Sequence, residues 1–231
     1  MGRDMETTPK RFDDETRGIM PEERVIRLHL LRHGEVEAMA ERIVRGQLDH
    51  ELSAVGRDQS VALADWLASR GLTVAELWSS DLQRCRLLGD LLSARFECEL
   101  RLDTRLREQD MGAWQGKTWR EITSTDGPAV TAYWDDYLNA RPTGGESYAD
   151  LHARVGEWWN EVSTPLADKT VVVATHVGVL RSLQCHLLGI APDQALRFAP
   201  EVASHTSFLV SAAGAVQSTF GERPWTFGGV K

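Results

Sequence analysis

Cysteine is scarce: Cys85, Cys98 and Cys185 are the only three in 231 residues. None stands at CxxC or metal-ligand spacing, which argues against a disulfide framework or a zinc module and for free thiols in a reducing compartment. No run of about 18 apolar residues occurs, so a membrane span is not expected. Residues 1–24 mix both charge signs and contain no apolar stretch. They read as a flexible tail rather than a secretory signal. Basic residues are in deficit, 26 Lys and Arg against 34 Asp and Glu, for a formal net charge of −8. A general nucleic-acid binder needs the opposite balance, so any anion site here must be a local pocket. There is no internal repeat and no low-complexity segment. The expectation is a cytoplasmic protein with neither a membrane nor a nucleic-acid partner.

What the chain does have is apolar content, 42% of residues, enough for one sizeable core. "RVIRLHLL" reads as a first strand. From Ser53, a candidate cap, the pattern turns helical, with Val55, Val61, Leu63, Ala64 and Leu67 as an apolar stripe ending near Gly71. "VAELWSS" reads as a second strand, "DLQRCRLLGDLLSARF" as a helix opened by Asp81, and "CELRL" as a third strand. Residues 107–145 are rich in Trp, Tyr, Gly and Pro and carry only short helical signals. "SYADLHARVGEWWNEV" is an amphipathic helix capped by Ser147; its adjacent Trp158 and Trp159 should not both face the core squarely. "KTVVVATH" is the strongest strand, and "VLRSLQCHLLG" a helix closed by Gly189. "HTSFLVSA" and "AVQSTFGE" form a closing hairpin. Alternating strands and helices predict an α/β fold, three layers α/β/α around a mainly parallel sheet, with residues 25–231 as the folded domain.

Ligands in such sheets bind beyond the carboxyl ends of the strands. Chemistry-bearing residues gather at those ends. Arg32 and His33 leave the first strand with Gly34, where the backbone turns sharply. Arg84 sits on the first turn of the helix after the second strand. Glu108 follows the third strand, and His176 ends the fourth. Each alone is an ordinary structural or surface residue; two His, two Arg and one Glu at equivalent junctions are hard to read as unrelated.

The stretches "LRHGE", "GQLDHELSAVGRDQS", "WSSDLQR", "LREQDMGAWQGKTWREI", "PTGGESYADLHARV" and "VVVATHVGVLRSLQCHLLG" run in this order from Leu28 to Gly189. In them the chain resembles the histidine phosphatase superfamily, also called phosphoglycerate mutase-like, and within it the small-molecule phosphatase branch. The resemblance implies that His33 accepts the phosphoryl group, that Arg32, Arg84 and His176 hold its oxygens, and that Glu108 is the general acid. The chemistry suits these roles. Guanidinium forks match phosphate geometry, a neutral imidazole is a competent nucleophile near pH 7, and a half-buried Glu with raised pKa can protonate a leaving alkoxide. No metal and no cofactor is implied, because arginines take the cation's place. The partner implied is a small-molecule phosphate ester, with a homodimer also open.

The chain departs from the family pattern at Val36 and Met39, where polar residues are usual, and at Leu88 and Gly89. A family Asn at Met39 would donate to phosphate. Arg45, beside Gly46, is a candidate to compensate by pointing into the pocket. Val177 replaces a common Gly. A cap insertion near 107–145 would lie above the pocket, where Trp114 and its aromatic neighbours either contact substrate or pack the cap. His205 is a further candidate near the phosphate, whereas His29, His50, His152 and His186 read as structural or surface residues. The expected function is hydrolysis of a phosphomonoester. The alternatives are a phosphoglycerate-type mutase and a phospho-ligand-binding member with weak catalysis.

Overall fold

The computed structural model describes residues 25–37, 41–164 and 168–224. The expected N-terminal tail and Met39 lie outside the described residues. Strand β1 (Ile26–Arg32) is followed by α1 (Ala54–Ala68), β2 (Glu76–Ser79), α2 (Gln83–Phe96) and β3 (Leu100–Leu102). Helices α3 (Trp119–Asp135) and α4 (Tyr148–Ser163), β4 (Thr170–Thr175), α5 (Val177–Leu188), β5 (His205–Ser211) and β6 (Gly214–Glu222) complete the order. Among the described residues no helix is long and apolar enough to cross a membrane.

The six strands run β3-β2-β4-β1-β5-β6. The pairs β1–β4, β2–β4 and β2–β3 are parallel; β5 runs antiparallel to β1 and β6 antiparallel to β5. All of β4 is buried, as expected of a strand covered on both faces. The pleat divides the core into two layers. Leu28, Leu30, Val171, Val173 and Phe208 pack with Leu151, Val155 and Trp158 of α4 and with Leu180 and Leu183 of α5. Leu31, Leu77, Val172 and Ala174 pack with Leu63, Ala64 and Leu67 of α1 and with Leu88 and Leu92 of α2. The fold is thus the three-layer α/β/α arrangement read from the sequence, mostly parallel at its core.

Several local expectations are corrected. Val55 and Val61 are exposed, and α1 instead buries Gly56, Gln59 and Ser60 beside its leucines, because its first turn lies against the exit of β1. Asp81 does not open α2. It forms a bidentate ion pair with Arg107, Nε to Oδ1 at 2.7 Å, and the N-cap residue Leu82 has no side-chain cap. Asp49, from a distant loop, accepts the Gln83 amide at 2.7 Å instead. Residues 107–145, read as carrying only short helical signals, contain a 17-residue helix, α3, broken at Asp126 two residues before Pro128, where proline disfavours a continuous helical backbone. Trp158 and Trp159 are both buried in one cluster with Val162 at the end of α4. The Ser147 cap is confirmed as a full capping box with Asp150, and Gly189 closes α5 at φ 63°.

Candidate active site

Four chain segments meet beyond the carboxyl ends of β1, β4 and β2. The exit of β1 comes tight against α1: a Cβ on Gly34 would stand 2.3 Å from the Gly56 carbonyl oxygen, and one on Gly56 would stand 1.8 Å from that of Glu35. Only glycine at both positions permits this approach. The backbone of His33 is held from both sides, its N–H donating to Thr175 at 3.1 Å and its carbonyl accepting from Ala203 at 2.9 Å.

The His33 ring is buried, with Nδ1 2.7 Å from the Gly34 carbonyl oxygen. A carbonyl only accepts, so Nδ1 carries the proton and Nε2 keeps its lone pair. Burial, then the nearby charges of Arg84 and Arg32, hold the His33 pKa well below its usual value, so the ring is neutral near pH 7.

His176 is fully buried and edge-on to His33, ring centroids 5.2 Å apart. Arg84 Nε donates to its Nδ1 at 3.2 Å, which leaves Nε2–H to donate to Ser80 Oγ at 2.9 Å. Burial followed by the charge of Arg84 lowers its pKa as well. Cys85 Sγ lies 3.3 Å from Nε2, and burial pushes that thiol's pKa up, so it stays protonated. Arg84 itself is buried and donates from Nη1 to Leu48 O and from Nη2 to Gly46 O, both at 2.7 Å. Gly46 is at φ 50°, and a Cβ there would meet Gln115 Oε1 at 2.2 Å. The loop 46–49 and the first turn of α2 therefore lace each other.

Arg32 donates from Nη1 to Pro200 O at 2.7 Å, while its buried Nε has no hydrogen-bond partner. Burial lowers its pKa to about 10, against the opposing pull of Glu108. Glu108 Oε1 accepts from the amides of Gln109 at 2.9 Å and Gly178 at 3.1 Å, the latter in the first turn of α5. A Cβ on Gly178 would stand 2.2 Å from that oxygen, so glycine is what lets the carboxylate reach the helix end.

The five residues expected at the strand exits thus come together. Arg45 lies at the rim, donating to Ile43 O and Glu37 O at 3.2 Å each, and its charge reaches His33. Gly46 is buried and anchors Arg84 through its carbonyl, and Val177 is the half-buried first residue of α5. Two candidates go elsewhere. Trp114 is buried in a separate apolar cluster with Val44 and with Ile122 and Tyr133 of α3, its indole N–H donating to Asp126 Oδ2 at 3.2 Å, so it packs α3. His205 turns to the α1 side of the sheet, where it stacks on His29, meets Trp66 edge-on and pairs with Glu222. Ser80 and Gly178 were missed by sequence reasoning. Their signal was adjacency, one preceding "DLQR" and the other following His176 by two residues.

Fold and site together define a protein of the phosphoglycerate mutase-like class. The family model for the histidine phosphatase superfamily (branch 1) matches residues 28–222, and the chain belongs to that superfamily. It is 37% identical over 177 residues to glucosyl-3-phosphoglycerate phosphatase of Mycolicibacterium vanbaalenii, covering 74% of this chain and 77% of the relative. A metal-independent phosphoserine phosphatase of Arabidopsis thaliana is 30% identical over 164 residues, covering 70% and 68% of the two chains. Among solved structures, mycobacterial glucosyl-3-phosphoglycerate phosphatase in complex with VO3 superposes with TM-score 0.74 at 32% identity, covering 84% of this chain and 98% of the other. A putative alpha-ribazole-5'-P phosphatase from Escherichia coli shares the fold, with TM-score 0.79 at 24% identity over 86% of this chain and 97% of the other.

Proposed function

We propose that the protein is a phosphomonoesterase that hydrolyses a small phosphorylated metabolite through a phosphohistidine on His33, with Glu108 as general acid. The observation that carries this is the His33 tautomer. A neutral ring with Nδ1–H fixed on Gly34 offers Nε2 to phosphorus, amid Arg32, Arg84 and His176 and with Glu108 in the same cluster. The similarity to phosphatases of glucosyl-3-phosphoglycerate and of phosphoserine supports the same class of substrate.

The Nε2 lone pair forms a bond to phosphorus as the ester P–O bond breaks, and Glu108 gives its proton to the departing oxygen. The Glu108 carboxylate then takes a proton from water as that water attacks the phosphohistidine. The N–P bond breaks, phosphate leaves, and the ring returns neutral. Charge on the transferring group falls on three oxygens, and the protein's main task is to place donors against them. Arg84, anchored through Nε and one hydrogen of each terminal nitrogen, retains one N–H on each for phosphate. Arg32 supplies the second fork and Arg45 a third cation at the rim, so the charge is met without a metal. His176 holds Arg84 in place and flanks the same phosphoryl group.

The test is phosphate release from an aryl phosphate, with acid-labile phosphate trapped on the protein in a rapid quench. Turnover is expected in the wild type and none above background in His33→Ala. Phosphate trapped on a residue other than His33, or transfer to a second substrate hydroxyl in preference to water, would overturn the reading.

A further inference from the structure

Glu108 is fixed from two directions. Its side chain rests on the amides of Gln109 and Gly178, and its carbonyl accepts both from Gln47 Nε2, at 3.1 Å, and from α4. Arg154, in the second turn of α4, donates from Nη2 to the Glu108 carbonyl at 3.1 Å and from Nη1 to the Arg105 carbonyl at 2.6 Å. Those carbonyls stand on either side of the turn that delivers Glu108. The same guanidinium is held by Glu146, Nε to Oε2 at 3.0 Å and Nη2 to Oε1 at 2.6 Å. Glu146 binds the far side of the turn, accepting the Asp110 amide on Oε1 at 2.9 Å, while its own carbonyl takes the Gln109 side chain at 3.0 Å. Side-chain exposures of 19% for Arg154 and 17% for Glu146 make this a largely desolvated pair. Such a pair is poor as a source of stability, since desolvation offsets most of the attraction. Its remaining partners are not core groups but the backbone of one loop, the carbonyls of Arg105 and Glu108 and the amide of Asp110.

We infer that Arg154, oriented by Glu146, is a positioning residue that sets Glu108 for proton delivery to the leaving oxygen. This rests on the phosphomonoesterase reading above. A shift of the Glu108 peptide by about an ångström moves the carboxyl out of line with the ester oxygen, and misplacement on that scale costs about a hundredfold in rate. The loss depends on the leaving group. A strongly acidic phenol departs without a proton, whereas an alkoxide does not.

The experiment measures the single-turnover rate of leaving-group release, with enzyme in excess, from 2,4-dinitrophenyl phosphate and glycerol 3-phosphate, for wild type, Glu108→Gln, Arg154→Lys and Glu146→Gln. This isolates phosphorylation of His33 from the later hydrolysis, in which Glu108 serves both substrates alike. Both rates come from one sample, so their ratio is independent of how much of a variant is folded. Arg154→Lys should lose about tenfold to a hundredfold on the alkyl ester and less than about threefold on the aryl ester. Glu146→Gln, which replaces one of the two oxygens accepting from Arg154 with a donor, should show the Arg154→Lys pattern in weaker form. Glu108→Gln should show the Arg154→Lys pattern in stronger form. Equal losses on both substrates in Arg154→Lys would overturn the inference while leaving the phosphatase reading intact. An absence of leaving-group dependence in Glu108→Gln would overturn the general-acid assignment and the inference with it.

Discussion

His33 donates its Nδ1–H to the carbonyl of the next residue, Gly34, at 2.7 Å. The contact spans one peptide, yet it decides which nitrogen faces the pocket. It is possible only because Gly34 has no side chain to fend off Gly56, whose carbonyl would lie 2.3 Å from a Cβ.

From the His33 environment follows a pH–rate profile. Burial and two arginines hold its pKa well below 6.5, and the reactive form is neutral. Lowering the pH from 8 to 6.5 should therefore leave the His33 ring competent, and the acid limb attributable to it should appear only below 6.5. An acid limb near 6.5 in a His33-dependent single-turnover rate would contradict this.

Acid should also destabilise the fold. Burial, then the proximity of His205, lowers His29 to about 4, and His33 and His176 are lowered too. The unfolded chain binds these protons near pH 6.5, whereas the native state refuses them until lower pH. The stabilisation is thus complete above about 6.5 and is lost progressively as pH falls toward the native values. Thermal midpoints should be level above pH 7 and decline steadily between pH 6.5 and 4; a midpoint that rises over that interval would refute the assignment of these rings as neutral.

Gly178→Ala tests the contact between Glu108 and α5. The new methyl would meet Glu108 Oε1 at 2.2 Å and Leu151 Cδ1 at 3.2 Å, so the carboxylate must move. Alanine is otherwise a better helix former than glycine, so the backbone of this first turn tolerates it. We expect kcat to fall about tenfold or more with little change in thermal midpoint. Unchanged kcat would mean that the Glu108 position is not set by this amide.

Arg45→Ala tests the third guanidinium. Charge-assisted hydrogen bonds are worth about 1.5–3 kcal/mol, so KM for a phosphate ester should rise about tenfold or more. An unchanged KM would place Arg45 outside the binding site.

Much of the fold was legible because it is written in short-range patterns. The consecutive Val171, Val172 and Val173 declare a buried strand, and Ser147 declares the start of α4. Where local chemistry had competing partners, the sequence misled. Asp81 has the composition of a helix opener, but Arg107 lies within reach once β3 is in place. Val55 and Val61 fit an apolar stripe, but the close approach of Gly56 to Glu35 fixes the rotation of α1 and turns them outward.

The candidate site was legible in the sequence: Arg32-His33-Gly34, Arg84, Glu108 and His176 each follow the end of a strand, and the carboxyl ends of parallel strands point to one edge. Their protonation states and anchors were not. Arg84 meets His176 across 92 residues, and Arg154 meets Glu108 across 46. The turn of His205 toward His29, and of Trp114 toward α3, likewise depends on which face of each segment packs against which neighbour. Periodicity and motif spacing are properties of the chain, whereas a hydrogen-bond partner is chosen by competition among groups that only packing brings within 3 Å.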